Sequence, residues 1–329
     1  MNMIASVDRL QLPQIAIGPI MPTWGSWEWL GEELIPELSQ WYRVTPFGRG
    51  ETPEGRIIII IKHRPIHTEM SRLPKTAQLV FCPVDLYGSV AEIDADAAFL
   101  RRCSRIVVHC RRLRRYFSPY SLVEEMDHHV RFVPEHETPL SRDGYLLWVG
   151  SRSNLSPLVE WVNCHRLTRK LVVLTNLEDR SKAVTAASLG FVGTNEIEID
   201  AWSQQRHLER LRGAAAALDI KGADFRQRHK PPAKAIDFIA AGIPLAMNQD
   251  ASSVEHLAEL GFTIASPEDL LYWFSDEYVD ETRRFGNALR EMLSRSRIAC
   301  RLRRIIDTVL TERLPHDSES SNSRLLVRS

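Results

Sequence analysis

The sequence predicts an α/β protein of two Rossmann-like domains facing each other across a cleft. Three observations predict it. Short apolar, β-branched runs alternate with helix-patterned stretches along nearly the whole chain, the order of βαβ units in a parallel sheet. The alternation stops at a stretch rich in Pro, Glu, His, Thr, Ser and Gly at 134–144, then starts again. The 329 residues also make about two domains of ordinary size.

In the first half, strands are expected at 15–18, 42–44, 57–61, 78–81, 105–108 and 130–133. The five consecutive isoleucines from Ile57 to Ile61 suit a strand buried on both faces. Helices are expected at 27–40, 91–101 and 111–117. The polar stretch reads as a linker, giving an N-terminal domain over 1–138 and a C-terminal domain over 139–314. In the second half, strands are expected at 145–149, 171–175, 196–199, 215–218 and 245–247. Helices follow at 155–164, 204–213, 234–241, 253–260 and 267–274, then two longer ones at 278–294 and 297–314. The Ser-rich tail, 315–329, is expected to be disordered.

Composition excludes several classes. The 42 basic residues balance 42 acidic ones, so nothing draws the chain as a whole to nucleic acid. Five scattered cysteines without CxxC spacing point to reduced thiols, not to a zinc site or disulfide framework. The first residues lack a signal-peptide pattern, and the longest apolar run is far short of the ~20 residues that span a bilayer. A cytoplasmic protein is expected, with peripheral contact at the inner face of a membrane as an option.

Ligands of open α/β sheets bind beyond the carboxyl ends of the strands. After the strand at 145–149 comes Gly150-Ser151-Arg152-Ser153-Asn154, where a Gly lets backbone N–H groups approach a phosphate and Arg152 adds charge. A Gly there is also an ordinary turn. The stronger signal runs from His229-Lys230-Pro231-Pro232 through Lys234 and Asp237 to Gly242-Ile243-Pro244. Lys234 falls in a first helical turn, against the macrodipole, with Asp237 on the same face. A diphosphate held between lysine and helix end explains the placement; a solvated lysine and a capping carboxylate explain it too.

The segment from Lys234 to Pro244, continuing through Val254-Glu255-His256-Leu257, resembles the nucleotide-sugar segment of glycosyltransferases with the GT-B fold, the group 1/family 4-like enzymes. Leu147-Trp148-Val149-Gly150-Ser151-Arg152 looks like the strand and loop that open their second domain. The resemblance implies terminal helices that cross back to the first domain. It puts Asp237 where a glutamate binds ribose and His229 where another contacts the donor sugar. The family's lysine beyond its arginine has no match after Arg152, so Lys230 or Lys234 would supply charge to the diphosphate. Trp202 would stack on the base, or serve as a half-buried structural residue.

The resemblance assigns the acceptor and any base to the first domain. Trp24, Gly25 and Trp27, in a loop with three tryptophans in six residues, would stack on sugar or cover lipid, or pack the helix onto the sheet. Asp85, with Glu28 second, would be the base or a sugar ligand; a turn-forming Asp is the alternative. No metal is implied, and His128-His129 is expected at the surface. The arginines between Arg101 and Arg115 would meet anionic headgroups or form a solvated face paired with Glu124 and Glu125.

The function so implied is metal-independent transfer of a sugar, from a UDP- or GDP-linked co-substrate with no other cofactor, to an acceptor hydroxyl. The acceptor it implies is a glycan or a lipid-linked acceptor, in glycan or glycolipid biosynthesis. A catalytically silent relative that binds nucleotide or glycan as a partner is the second reading, kept open by His229. A two-domain binding protein of periplasmic type is a third, which leaves the Lys234–Asp237 helix unexplained.

Overall fold

Two all-parallel sheets carry the chain, one in each half. The computed structural model describes residues 12–134, 143–177 and 184–312. The first sheet has six strands, β1 (Gln14–Gly18), β2 (Arg43–Pro46), β3 (Ile57–Ile61), β4 (Gln78–Cys82), β5 (Cys103–Val108) and β6 (Val123–Glu125). Their order across the sheet is β2-β1-β3-β4-β5-β6. The isoleucines of β3 lie at its centre, each of them buried, because the neighbouring strands and the layers on both faces exclude water. The second sheet has β7 (Tyr145–Gly150), β8 (Leu171–Thr175), β9 (Ile197–Ala201), β10 (Ala214–Asp219) and β11 (Leu245–Met247), in the order β11-β10-β7-β8-β9.

Helices cover both sheets. In the first half they are α1 (Gly25–Trp27), α2 (Ile35–Leu38), α3 (His67–Arg72), α4 (Val90–Ala95), α5 (Ala97–Arg102) and α6 (Arg111–Phe117). In the second they are α7 (Ser156–Cys164), α8 (Gln204–Gly213), α9 (Phe225–Arg228), α10 (Ala233–Ala240), α11 (Ser252–Glu259), α12 (Leu270–Trp273), α13 (Asp276–Met292) and α14 (Arg295–Thr311). α10 is apolar on nearly every side and buried along its length. It ends at Gly242, whose φ of 73° lets its N–H reach Ile239 O and the Ile243 N–H reach Phe238 O, a left-handed helix stop. α13 crosses α10 closely at Gly286, where a Cβ would lie 2.1 Å from Ile239 O.

Several expected elements differ. The helix expected at 27–40 is broken: a π turn over Glu28–Glu32 separates α1 from α2, and Pro36 opens α2, where its missing N–H is tolerated. The helix at 91–101 is two helices meeting at Asp96. The one at 267–274 shortens to α12. Residues 130–133 are not a strand. The sixth strand is β6, and 130–133 is an extended link whose Val130 N–H donates to Leu293 O. The expected boundary at 138/139 and the tail 315–329 lie outside the described residues.

The link and the last helix tie the halves together. Asp127 accepts from Arg301 Nη1 at 2.6 Å and faces His256 Nε2 at 2.7 Å. α14 lies against α2, where Tyr42 Oη meets Asp307 at 2.5 Å. Among the described residues no helix is long and apolar enough to cross a membrane.

Candidate functional site: a lysine cluster at the strand ends

β7 ends at Gly150, and only hydrogen fits there: a Cβ would lie 2.5 Å from the Trp148 ring and 2.8 Å from Lys234 Nζ. Pro232 caps α10 and places Lys234 in its first turn, so the side chain runs back toward β7. Its ammonium donates to Val149 O at 2.7 Å and lies 5.4 Å from the Trp148 ring centroid. Burial, and next the charge of Lys221, bring its pKa down to about 7, as expected when a cation is dehydrated among like charges.

Three more lysines converge there. Lys230, just before α10, bonds Asn154 in the loop after β7, and burial brings it down to about 8. Lys221, two residues past β10, pairs with Asp219 at 2.6 Å. From the other sheet, Lys62 follows β3 and pairs with Asp85, which follows β4. Burial would raise the Asp85 carboxyl, but the charges of Lys62 and Lys230 outweigh it and hold it low. Arg226 of α9 donates to Leu86 O, just past β4, at 3.1 Å, so the carboxyl ends of the two sheets face one another. Four lysines against Asp85 and Asp219 leave the cluster with excess positive charge, an arrangement that favours an anionic group.

The remaining predicted residues divide. Arg152 is exposed beside this cluster, its backbone N–H bonded to Asn176. His229 donates from Nδ1 to Phe225 O at 2.7 Å and lies among the rings of Phe225 and Tyr116. Trp202 follows β9, its N–H on Thr175 O and its ring edge-on to Phe132. Asp237 does not face the lysines. It is 3% exposed, and its Oδ1 accepts the Arg131 N–H at 2.8 Å and the Phe132 N–H at 3.4 Å, under the link between the halves. Glu28 pairs with Arg131 at 2.5 Å. Trp27 is buried in the core against Gly31, the packing alternative of its loop. Trp24 is 38% exposed, with Lys62 Nζ 5.2 Å from its ring centroid, and Gly25 passes close to the Trp29 ring.

One expectation about these side chains is corrected. His128 and His129 are buried, not at the surface: His129 pairs with Glu33 at 2.6 Å, and His128 lies against His109 and Trp29. No metal cluster occurs among the described residues. The arginines from Arg101 to Arg115 do not form one free face. Arg105 is buried, Arg102 donates to the Pro74, Lys75 and Ala77 carbonyls, and Arg111 and Arg112 reach across to Glu259 and Glu255 of α11. Arg114 pairs with Glu125 at 3.2 Å, one of the carboxylates expected to do so.

Sequence reasoning missed Lys62, Lys221 and Asp219. The strand-end rule that selected Gly150 and Asp85 reaches them, since each stands at or just beyond the carboxyl end of a strand.

With two facing parallel sheets and a returning terminal helix in place, the comparison with solved structures is decisive for the fold. The AviGT4 glycosyltransferase of avilamycin A biosynthesis matches with a TM-score of 0.59 over 91% of this chain and 98% of its own, at 14% identity. The fold is GT-B. An E. coli structure, described as trehalose-6-phosphate bound with UDP-2-fluoro glucose, matches with a TM-score of 0.60 over 91% of this chain and 99% of its own, at 11% identity. WaaG, a glycosyltransferase of lipopolysaccharide biosynthesis, matches at 0.50 over 90% and 95%, at 14% identity. No protein-family model and no curated protein sequence matches the chain.

Proposed function

We propose that this GT-B protein is a glycosyltransferase that moves a sugar from a nucleoside diphosphate donor to an acceptor hydroxyl. The observation that carries the reading is the convergence of Lys62, Lys221, Lys230 and Lys234 at the facing strand ends. Breaking the donor's C1–O bond leaves charge on a diphosphate, and fixed cations in a water-poor cleft stabilise that charge as it develops. They do so without a metal. Lys234 and Lys230 sit nearest the Gly150 loop and take the diphosphate; Arg152 guards its open side. Trp202, just past β9, stacks on the base in this reading. Asp85, kept ionised by Lys62, accepts the hydrogen bond of the acceptor hydroxyl and orients it. A UDP- or GDP-linked donor is favoured, and one structure of the same fold is described with a UDP sugar.

Thermal unfolding with UDP, GDP, ADP, TDP and CMP and their sugars tests this. Ligand at 100 times its Kd adds about 2.7 kcal/mol. A shift with one nucleotide, lost in Lys234→Ala, is the expected result; no shift with any overturns the donor site. His229, in place of a sugar-contacting glutamate, supports a silent nucleotide-binding relative as the second reading. Hydrolysis of the donor by the isolated protein would rule that out.

A further inference from the structure

The central strands β1, β3 and β4 are neighbours in the first sheet, and each is followed by a residue held in left-handed backbone. Thr23 has φ 70°, Lys62 φ 46° and Val84 φ 54°, and among the described residues these are the only non-glycines with positive φ. Two of them are β-branched, for which this conformation is a true outlier. Strained backbone that persists on three adjacent strand ends marks a place where side-chain position matters more than local comfort.

The side chains so placed form one group. Trp24 follows Thr23, Asp85 follows Val84, and Lys62 joins them, its ammonium paired with Asp85 and set over the Trp24 ring. The ion pair is partly open, at 24% and 19% side-chain exposure, beside the exposed part of Trp24. The surface therefore offers the exposed part of an indole next to a carboxylate and an ammonium that neutralise one another.

We infer that Trp24, Lys62 and Asp85 form a subsite for an uncharged pyranose ring, with Lys62 as the positioning residue. The inference rests on the transferase reading above, in which this ring is the acceptor. A pyranose has a face of C–H groups for the indole and an edge of hydroxyls for the ion pair. An alkyl chain would dehydrate the pair without replacing its hydrogen bonds. An anionic acceptor would meet a cation already neutralised by Asp85. Thr23 holds the Trp24 loop more stiffly than a glycine would, because its backbone has fewer alternatives.

Saturation-transfer NMR on the full chain tests the subsite. The probes are methyl α-D-glucopyranoside, methyl β-D-galactopyranoside, methyl α-D-mannopyranoside and methyl N-acetyl-β-D-glucosaminide. Wild type should transfer saturation to the ring protons of at least one glycoside. Trp24→Ala and Lys62→Met should weaken that signal about threefold or more, the size of one lost aromatic contact, and Lys62→Arg should restore part of it. Thr23→Gly relieves an exposed strained residue, so its Tm should not fall while its signal does. Should Trp24→Ala fail to fold, the Lys62→Met and Lys62→Arg pair decides. A wild type that binds none of the four, or a signal unchanged in Trp24→Ala and Lys62→Met, overturns the subsite. The nucleotide melts judge the donor site separately. A Trp24-dependent glycoside signal with no nucleotide shift would overturn the transferase reading and leave the sugar subsite standing.

Discussion

Gly150 and Lys234 are fitted to one another: a Cβ on the glycine would lie 2.8 Å from the lysine's ammonium, which is itself bonded to the carbonyl of Val149. Gly150→Ala therefore has to displace both Lys234 and the Trp148 ring. It should cost about 1–3 kcal/mol, the usual range for overpacking a buried site, and should abolish the nucleotide-induced thermal shift. Urea unfolding gives the first quantity, and melts with nucleotide give the second. A variant as stable as wild type that still responds to nucleotide would show that the loop has room the structure does not give it.

Lys234 makes the empty protein's stability depend on pH. Its value falls from 10.5 in an ordinary lysine to about 7 here. Between those limits the unfolded chain binds a proton that the folded one does not, so stability rises with pH from about 7 to about 10.5. Lys234→Met should flatten that rise and stabilise the ligand-free protein near neutral pH. A bound diphosphate restores the lysine's proton, so nucleotide binding near pH 8 should take up protons. Calorimetric titration in two buffers of different protonation enthalpy measures this, and equal heats in both would contradict it.

Asp237 runs the opposite way. Burial raises its carboxyl from 3.8 to about 7, so the folded state holds a proton that the unfolded chain has lost, and stability falls as pH climbs from about 4 to about 7. Asp237→Asn keeps an oxygen for the Arg131 and Phe132 N–H groups and removes the buried charge. It should melt higher than wild type by more at pH 8 than at pH 5. Its nucleotide shift should be intact, since the carboxylate faces the link between the halves; a lost shift would return Asp237 to the ribose. Asp237→Ala leaves those N–H groups unpaired and should cost about 1–3 kcal/mol.

The crossing of α10 and α13 depends on Gly286. A Cβ there would lie 2.1 Å from Ile239 O, and backbone cannot swing aside as a side chain can. Gly286→Ala should destabilise by about 1–3 kcal/mol, read as a lower urea midpoint with an unchanged slope. Wild-type stability would mean that the helices separate at little cost.

The buried pair Lys221–Asp219 offers a check on the cluster's charge. Burial opposes the Asp219 carboxylate, yet Lys221 and Lys234 hold its pKa below 3.8, so its stabilising contribution is present at neutral pH and lost as pH falls below about 4. Asp219→Ala strands Lys221 without its partner and should cost about 3–5 kcal/mol. Thermal melts of this variant and of the double variant with Lys221→Met separate the pair from the residue: the double variant should recover most of the loss.

Much was decided locally. The isoleucines of β3, the apolar runs of β4, β7, β8 and β11, and the Gly242 helix stop follow from period, branching and one left-handed residue, all of which act over a few neighbours. The strand-end rule then pointed to Gly150 and Asp85 from order alone, and the start of a helix after two prolines marked Lys230 and Lys234. What needed the tertiary structure was everything set by partners distant in sequence. Residues 130–133 look like a strand but find Leu293 and Asp237 instead of a sheet edge. His128 and His129 look polar and exposed but are covered by Trp29, His109 and Glu33. Asp237 sits at helical spacing from Lys234, yet the link between the halves takes its oxygen. The pairing of Lys62 with Asp85, and their approach to Lys230, appears only when the two sheets face each other, because Coulomb coupling follows distance through space and the chain keeps these groups far apart along its length.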